Sequence, residues 1–243
     1  MSFPRFFCQT PLAANQTIDL PEALTHHALR VLRLKNNSQI TLFDGLGGQY
    51  NAKLLINGKH AQAQLDEKHT PERELAGEIT LVQGLASGDK MDWIIEKSVE
   101  LGVSHIVPIA ARRSVLQLTP ERLQKRLKHW EKIIQSACEQ CGRNLLPTIS
   151  PTVSLAQYLA GTQQPGLTLL CHPQASQSLA QALTTDTNRI TLLVGPEGGW
   201  SDEEQHAAAQ AGALPVIFGP RVLRTETAGL AMVAAISALK GWN

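Results

Sequence analysis

No stretch of this sequence approaches the roughly 20 consecutive apolar residues that a membrane-spanning helix needs. Its first residues, MSFPRFFCQT, carry neither a signal-peptide apolar segment nor a small-residue cleavage site, so a cytoplasmic protein is expected. Cysteine is scarce: Cys8, Cys138, Cys141 and Cys171 are too few for a disulfide framework in 243 residues. Cys138 and Cys141 form a C-x-x-C, but no second pair completes a zinc site, and the pair falls late in an expected helix instead of opening one. No H-E-x-x-H or related histidine spacing occurs, so no metal is expected. The phosphate-cradling signatures G-x-x-x-x-G-K-[ST] and G-x-G-x-x-G are both missing, as are internal repeats and low-complexity tracts. A large excess of one charge is missing too, and a formal net charge of +1 argues neither for nor against nucleic acid.

What remains is an ordinary globular balance of 43% hydrophobic and 18% charged residues, enough for a real core in one large or two modest domains. The first part reads mostly as strands: PRFFC, QTIDL, SQITLFDG, QYNAKLLING and KHAQAQLDEK are short apolar or alternating runs separated by turn residues. One helix, PEALTHHALRVL, interrupts them after a starting proline. The pattern predicts a small β-barrel. The charged KHTPERELAGE, residues 68–78, lacks apolar periodicity and marks a boundary that divides the chain into 1–72 and 73–243.

Beyond it strand and helix alternate, which predicts a mostly parallel sheet covered by helices. EITLVQGL is a strand, and DKMDWIIEKSVELG a helix with Met91, Ile94, Ile95 and Val99 inward. A long helix starts with Thr119 as cap and Pro120 at its first position; Leu123, Leu127, Trp130, Ile134, Ala137 and Cys141 recur at helical spacing. The last helix is rich in alanine and nearly free of charge, which buries it on more than one side, in the core or in a subunit interface.

Two loops carry the chemistry. LLVGPEGGWSDEE places Gly195, Gly198 and Gly199 between the strand RITLLV and a helix that Ser201 and Glu204 open as a capping box. Glycines there let a ligand approach the backbone closely, although a tight turn with no ligand has the same composition. LPVIFGPRVLRTETAGLAMVAAISAL repeats the arrangement: strand, Gly219-Pro220 turn, and a helix that Thr225 caps with Glu226 in its first turn. Open α/β sheets bind ligands at such strand ends. Glu197 would repel a phosphate and suit a cationic ligand.

Charge is unevenly spread. Residues 112–143 hold eight Lys/Arg, Arg112, Arg113 and Arg143 among them, against three acids, and Arg30, Arg33 and Lys35 form a second basic segment. Brought onto one face, these would make an electrostatic footprint for nucleic acid; separate solvated helix faces would carry the same residues.

Together with EKSVELGV and EQCGR, the motifs LVGPEGGWSDEE and FGPRVLRTETA resemble the 16S ribosomal RNA uridine N3-methyltransferase family, within the SPOUT superfamily. The similarity spans essentially the whole chain. It implies a PUA-like RNA-binding barrel over 1–72 and a deeply trefoil-knotted α/β methyltransferase domain over 73–243. It further implies S-adenosylmethionine as methyl donor, an obligate homodimer, and 16S rRNA within the assembled small subunit as substrate. The family's cofactor contacts carry over to Leu170, His172, Gly195, Pro196, Glu197, Gly199, Phe218, Gly219, Leu223, Arg224 and Thr225. RNA contacts are expected at Arg5, Arg30, Arg33, Arg112, Arg113 and Arg143.

Uridine N3 must lose its proton as the nitrogen attacks the methyl carbon, so the reaction needs orientation, a group to stabilise the charged base and a proton acceptor. Arg224 is the first candidate for charge stabilisation and Arg143 the second, with Glu139 or Glu226 as acceptor. Two other readings stay open: a SPOUT enzyme acting on a ribose 2′-hydroxyl or another base, and a non-catalytic RNA-binding protein.

Overall fold

The structure, a computed structural model, describes residues 3–116, 118–161, 165–183 and 186–242. The chain divides into two compact units, one of residues 1–74 with Gln135–Leu146, the other of Leu75–Ile134 with 147–243. The division read from the sequence leaves the short return segment, 135–146, in the second part; by contacts it belongs to the first unit.

In the first unit five strands, β1 (Arg5–Phe7), β2 (Thr17–Asp19), β3 (Gln39–Phe43), β4 (Gln49–Asn57) and β5 (His60–His69), pair in the order β1-β3-β4-β5-β2. Each coincides with one of the expected runs, β5 continuing one residue past its run to His69. The alternation of β4 and β5 turns Ala52, Leu54, Ala61, Ala63 and Leu65 inward, where they meet Phe6, Ile40 and Leu42 in one core. The predicted helix is present as α1 (Glu22–His26), continued by one wider π turn over His27–Val31.

The second unit holds six parallel strands in the order β11-β9-β10-β6-β7-β8: β6 (Glu78–Gly84), β7 (His105–Ile109), β8 (Thr148–Ile149), β9 (Leu167–Cys171), β10 (Arg189–Val194) and β11 (Leu214–Val216). Interspersed are α2 (Lys90–Glu100), α3 (Pro120–Cys141), α4 (Leu155–Gly161), α5 (Leu179–Ala182), α6 (Asp202–Gln210) and α7 (Thr225–Lys240). One core gathers Val82, Val107, Ile109, Leu170 and Leu193 with Leu155 of α4 and Ala208 of α6. On the alternate strand residues, α7 packs against β6 and β10 and also against α2, whose Met91, Ile94, Ile95 and Val99 are all buried as expected. The long helix begins at Pro120 as read, and its last turns, from Gln135, count with the first unit. In its apolar stripe Trp130, Ile134 and Ala137 are buried, joined by Cys138, whereas Leu123, Leu127 and Cys141 are half-exposed.

Candidate functional site

Three loops converge where parallel strands end. Strand β10 runs out into Gly195, β9 into His172, and β6 stops at Gly84 between β10 and β7. They border a cavity of about 830 Å³ lined by His172, Gly195, Pro196, Glu197 and Gly199, and by Leu223, Arg224, Thr225 and Glu226 ahead of and within the first turn of α7. The size suits a small organic ligand, and the position at the carboxyl ends of a parallel sheet is where such ligands bind.

The glycine loop is shaped by close approach. A Cβ on Gly84 would lie 2.5 Å from both the Pro196 nitrogen and its ring Cδ, so only glycine lets β6 and the loop touch. Gly199 turns the chain at φ +68°, with its N–H donating to the Pro196 carbonyl at 2.8 Å. The capping box that closes the loop is present: Ser201 Oγ accepts from the Glu204 N–H at 3.3 Å, and Glu204 Oε2 accepts from the Ser201 N–H at 2.9 Å. Glu204 does more than the sequence implied, because its Oε1 also accepts the Arg112 N–H at 3.0 Å and ties the segment after β7 to the start of α6.

Thr225 departs from its expected role. Arg224 occupies the cap position of α7 and no side chain caps the helix. The Thr225 hydroxyl instead donates to the Gly195 carbonyl at 2.6 Å and accepts from Gln83 Nε2 at 2.9 Å. Gln83 Nε2 also donates to the Gly84 carbonyl at 3.0 Å, an oxygen that can only accept, which fixes the amide orientation. With Gln83 already a donor to it, the single Thr225 proton is directed at Gly195. Gln83, fully buried, thus joins β6, α7 and the glycine loop, a role nothing in its local sequence announced.

Glu197 is likewise committed within the chain. Its Oε1 accepts from the Ser87 N–H at 3.0 Å, the Ser87 hydroxyl at 2.7 Å and Lys90 Nζ at 3.0 Å. Partial burial pushes this carboxyl up, but the Ser87 and Lys90 donors outweigh it and hold the group at about 2. The expectation that Glu197 waits for a cationic ligand therefore gives way to an internal ion pair, with Lys90 as the cation.

Of the other residues expected at the cofactor, Phe218 lines a smaller hollow of about 70 Å³ that shares His172 and Leu223 with the main cavity. Leu170 has its side chain buried in the core, and Gly219 forms the turn before α7 at φ +74°. Cys171 lines the cavity as a thiol that burial pushes up to about 11.

The expected RNA contacts separate into two groups. Arg30, Arg33 and Arg112 are exposed. Arg113 lines the cavity, donating to the Trp200 carbonyl at 3.2 Å and pairing with Asp202 at 3.4 Å. Arg5 and Arg143 are turned inward within the first unit. Arg5 donates to Asn144 Oδ1 at 2.9 Å and lies over the Phe43 ring, while Arg143 is only 4% exposed and holds Glu74 at 3.0 Å. Glu139, in the same unit, accepts the Phe7 N–H at 2.8 Å, with burial pushing its carboxyl up. Neither Arg143 nor Glu139 lines the cavity. Cys138 is a buried thiol pushed up to about 12, which leaves it a poor nucleophile and ligand. No cluster of potential metal ligands occurs among the described residues, and no helix among them is long and apolar enough to cross a membrane.

The parallel sheet with its strand-end cavity defines a class that known proteins bear out: residues 73–237 match the RNA methyltransferase domain family, and residues 20–66 the RNA methyltransferase PUA domain family. A Buchnera aphidicola ribosomal RNA small subunit methyltransferase E is 33% identical, over 98% of this chain and 95% of its own. The Neisseria gonorrhoeae enzyme of that name, solved bound to S-adenosyl methionine, is 39% identical with a TM-score of 0.91, covering 98% of each chain. A putative methyltransferase from Legionella pneumophila, also with bound cofactor, is 32% identical with a TM-score of 0.89, over 99% of this chain and 98% of its own. The chain belongs to the ribosomal RNA small subunit methyltransferase E family.

Proposed function

We propose that the protein transfers the methyl group of S-adenosylmethionine to N3 of one uridine in 16S rRNA. The observation that carries this is the cavity at the ends of β9, β10 and β6, together with the similarity of the whole chain to relatives solved with that cofactor. The residues present fit the cofactor. The backbone of the glycine loop lines the cavity, where a neutral adenine edge would meet it, and among the described residues the cavity holds no lysine free to cradle phosphate, because Lys90 is taken by Glu197. When bound, the sulfonium supplies an electrophilic methyl carbon. The chain's own part is to hold the two reactants in line, keep water from the methyl carbon and stabilise charge on the uracil.

Arg224, at the cavity wall and directly before α7, is the group we assign to the uracil carbonyls. Residues 1–72 act as the PUA-like RNA-binding domain and 73–243 as the knotted SPOUT domain. Arg30, Arg33, Arg112 and Arg113 meet RNA, while Arg5 and Arg143 brace the first unit. The protein works as a cytoplasmic homodimer on assembled small subunits; the exposed Ala234, Ala238 and Leu239 along α7 support the dimer alone.

Incubation with methyl-labelled S-adenosylmethionine and small subunits lacking the modification, followed by RNA digestion and mass spectrometry, tests the proposal. Labelled 3-methyluridine is expected; a different labelled nucleoside would refute the N3 assignment. Arg224→Ala should lower turnover strongly while the dimer persists, and near-normal turnover would remove it from the chemistry.

A further inference from the structure

The cavity contains several groups able in principle to take a proton, and the structure distinguishes them. The Glu197 carboxylate has one oxygen shared by three donors and is held at about 2, a poor and occupied base. Asp202 is 91% exposed at its side chain and faces Arg113, so solvent surrounds it. His172 accepts the Gln174 N–H on Nδ1 at 3.2 Å, which leaves the neutral ring's proton on Nε2, where it donates and does not accept. The Cys171 thiol, half-buried and pushed up to about 11, keeps its proton.

Glu226 differs from all of these. Its side chain lines the cavity, 19% exposed, two residues from Arg224 in the first turn of α7. Among the described residues its buried Oε2 has no hydrogen-bond partner, and Lys90 Nζ lies 3.9 Å away as an ion pair. Lys90 is itself held at 3.0 Å by Glu197, so the ammonium lies between two carboxylates, one of them already taking three donors on one oxygen.

We infer that Glu226 accepts the uridine N3 proton and that Lys90, anchored by Glu197, is the residue that positions it. This deepens the N3-methylation reading and rests on it. The N3–H bond breaks with its proton going to a Glu226 oxygen. The nitrogen keeps that electron pair and forms its bond to the methyl carbon, whose bond to sulfur breaks with its pair left on sulfur. A carboxylate and a sulfonium are consumed together, a carboxylic acid and a neutral thioether remain, and the net charge of the site is unchanged.

Single-turnover methylation of unmodified small subunits is measured across pH for wild type, Glu226→Gln, Glu226→Ala and Lys90→Met. Cofactor affinity by calorimetry and thermal unfolding are followed in parallel. The charged groups around the acceptor are Lys90 from α2, Glu197 from the glycine loop, and Arg224, Arg113 and Asp202 on the same cavity. Glu226→Gln should slow the step by about 10²- to 10⁴-fold with cofactor affinity retained, and its acid limb should vanish. Added formate should restore part of the rate to Glu226→Ala, which loss of a merely structural contact would not allow. Lys90→Met should slow the step less than Glu226→Gln and keep the acid limb, because the acceptor remains and only its placement is lost. A Glu226→Gln enzyme within about threefold of wild type, or a slow one whose acid limb persists and whose alanine counterpart ignores formate, overturns the assignment. Wild type that binds cofactor but makes no 3-methyluridine would bring down the proposed reaction as well; the variant results act on the acceptor alone.

Discussion

Replacing Gly84 by alanine should damage the cavity from beneath. The added methyl would stand 2.5 Å from the Pro196 nitrogen and ring and 3.0 Å from the Gly195 carbonyl carbon, where contact becomes ordinary only at 3.4 Å. None of these atoms is the far end of a flexible side chain. The glycine loop must therefore recede by about 0.9 Å, the shortfall between those distances. Overpacking of this kind costs about 1–3 kcal/mol, and at about 2–4 °C per kcal/mol for a chain of this size the melting temperature should fall by several degrees. A reacting centre misplaced by about 1 Å loses about 10²-fold in rate, so methyl transfer should drop by that order and cofactor affinity should weaken about tenfold or more. Gly212→Ala is the control. Gly212 sits at φ +86° with nothing within 4 Å of the position a Cβ would take, so alanine there strains the backbone by about 1–2 kcal/mol and leaves the loop alone. Calorimetric titration with S-adenosylmethionine and thermal unfolding of both variants separate the two effects. Unchanged affinity in Gly84→Ala, or equal weakening in Gly212→Ala, would refute the reasoning.

Thr225→Val keeps the shape but leaves the Gly195 carbonyl and a Gln83 proton unpaired, at about 1–3 kcal/mol for each buried group. Cofactor binding should weaken in valine and survive in Thr225→Ser; equal affinities for all three would sink the idea. Glu197, held near 2 in the folded chain against an ordinary 4.5, contributes stability that is complete above about pH 4.5 and is lost as pH falls toward 2. Glu197→Gln should flatten the acid side of the unfolding curve in that window, and an unaltered acid transition would count against the Lys90 and Ser87 contacts. Arg143→Ala strips a buried guanidinium from Glu74 and should cost about 3–5 kcal/mol of stability, read by chemical denaturation. If instead stability holds and only methyl transfer is lost, Arg143 returns to the chemistry.

How much of this was legible in the sequence depends on the distance over which each interaction acts. The strand Arg189–Val194, the Ser201–Glu204 capping box and the Pro120 helix start were read correctly, because each is decided by residues within a few positions of one another. Thr225 was misread for the opposite reason. Its local context is that of a cap, but the carbonyl that takes its proton lies 30 residues away and the amide that orients it 142 away. The inward turn of Arg5 and Arg143 was hidden in the same way: Arg143 looks like a member of a basic segment, and only the fold brings Asn144 to Arg5 and Glu74 to Arg143.

The glycine-rich motifs describe just half of the candidate site. Two of its loops follow β10 and β11 and announce themselves by composition, whereas the segment after β6, with Gly84, Ser87 and Lys90, has no comparable signature. It reaches the cavity because β6 pairs directly with β10, in register from Glu78 with Arg189 to Gln83 with Val194. That pairing brings Lys90 to Glu197 across 107 residues of chain. Local chemistry selects the loops, and sheet order decides which charges face one another across the cavity. Of the two carboxylates the sequence leaves open as base, Glu139 and Glu226, it is Glu226 that lines the cavity with Arg224 and Lys90.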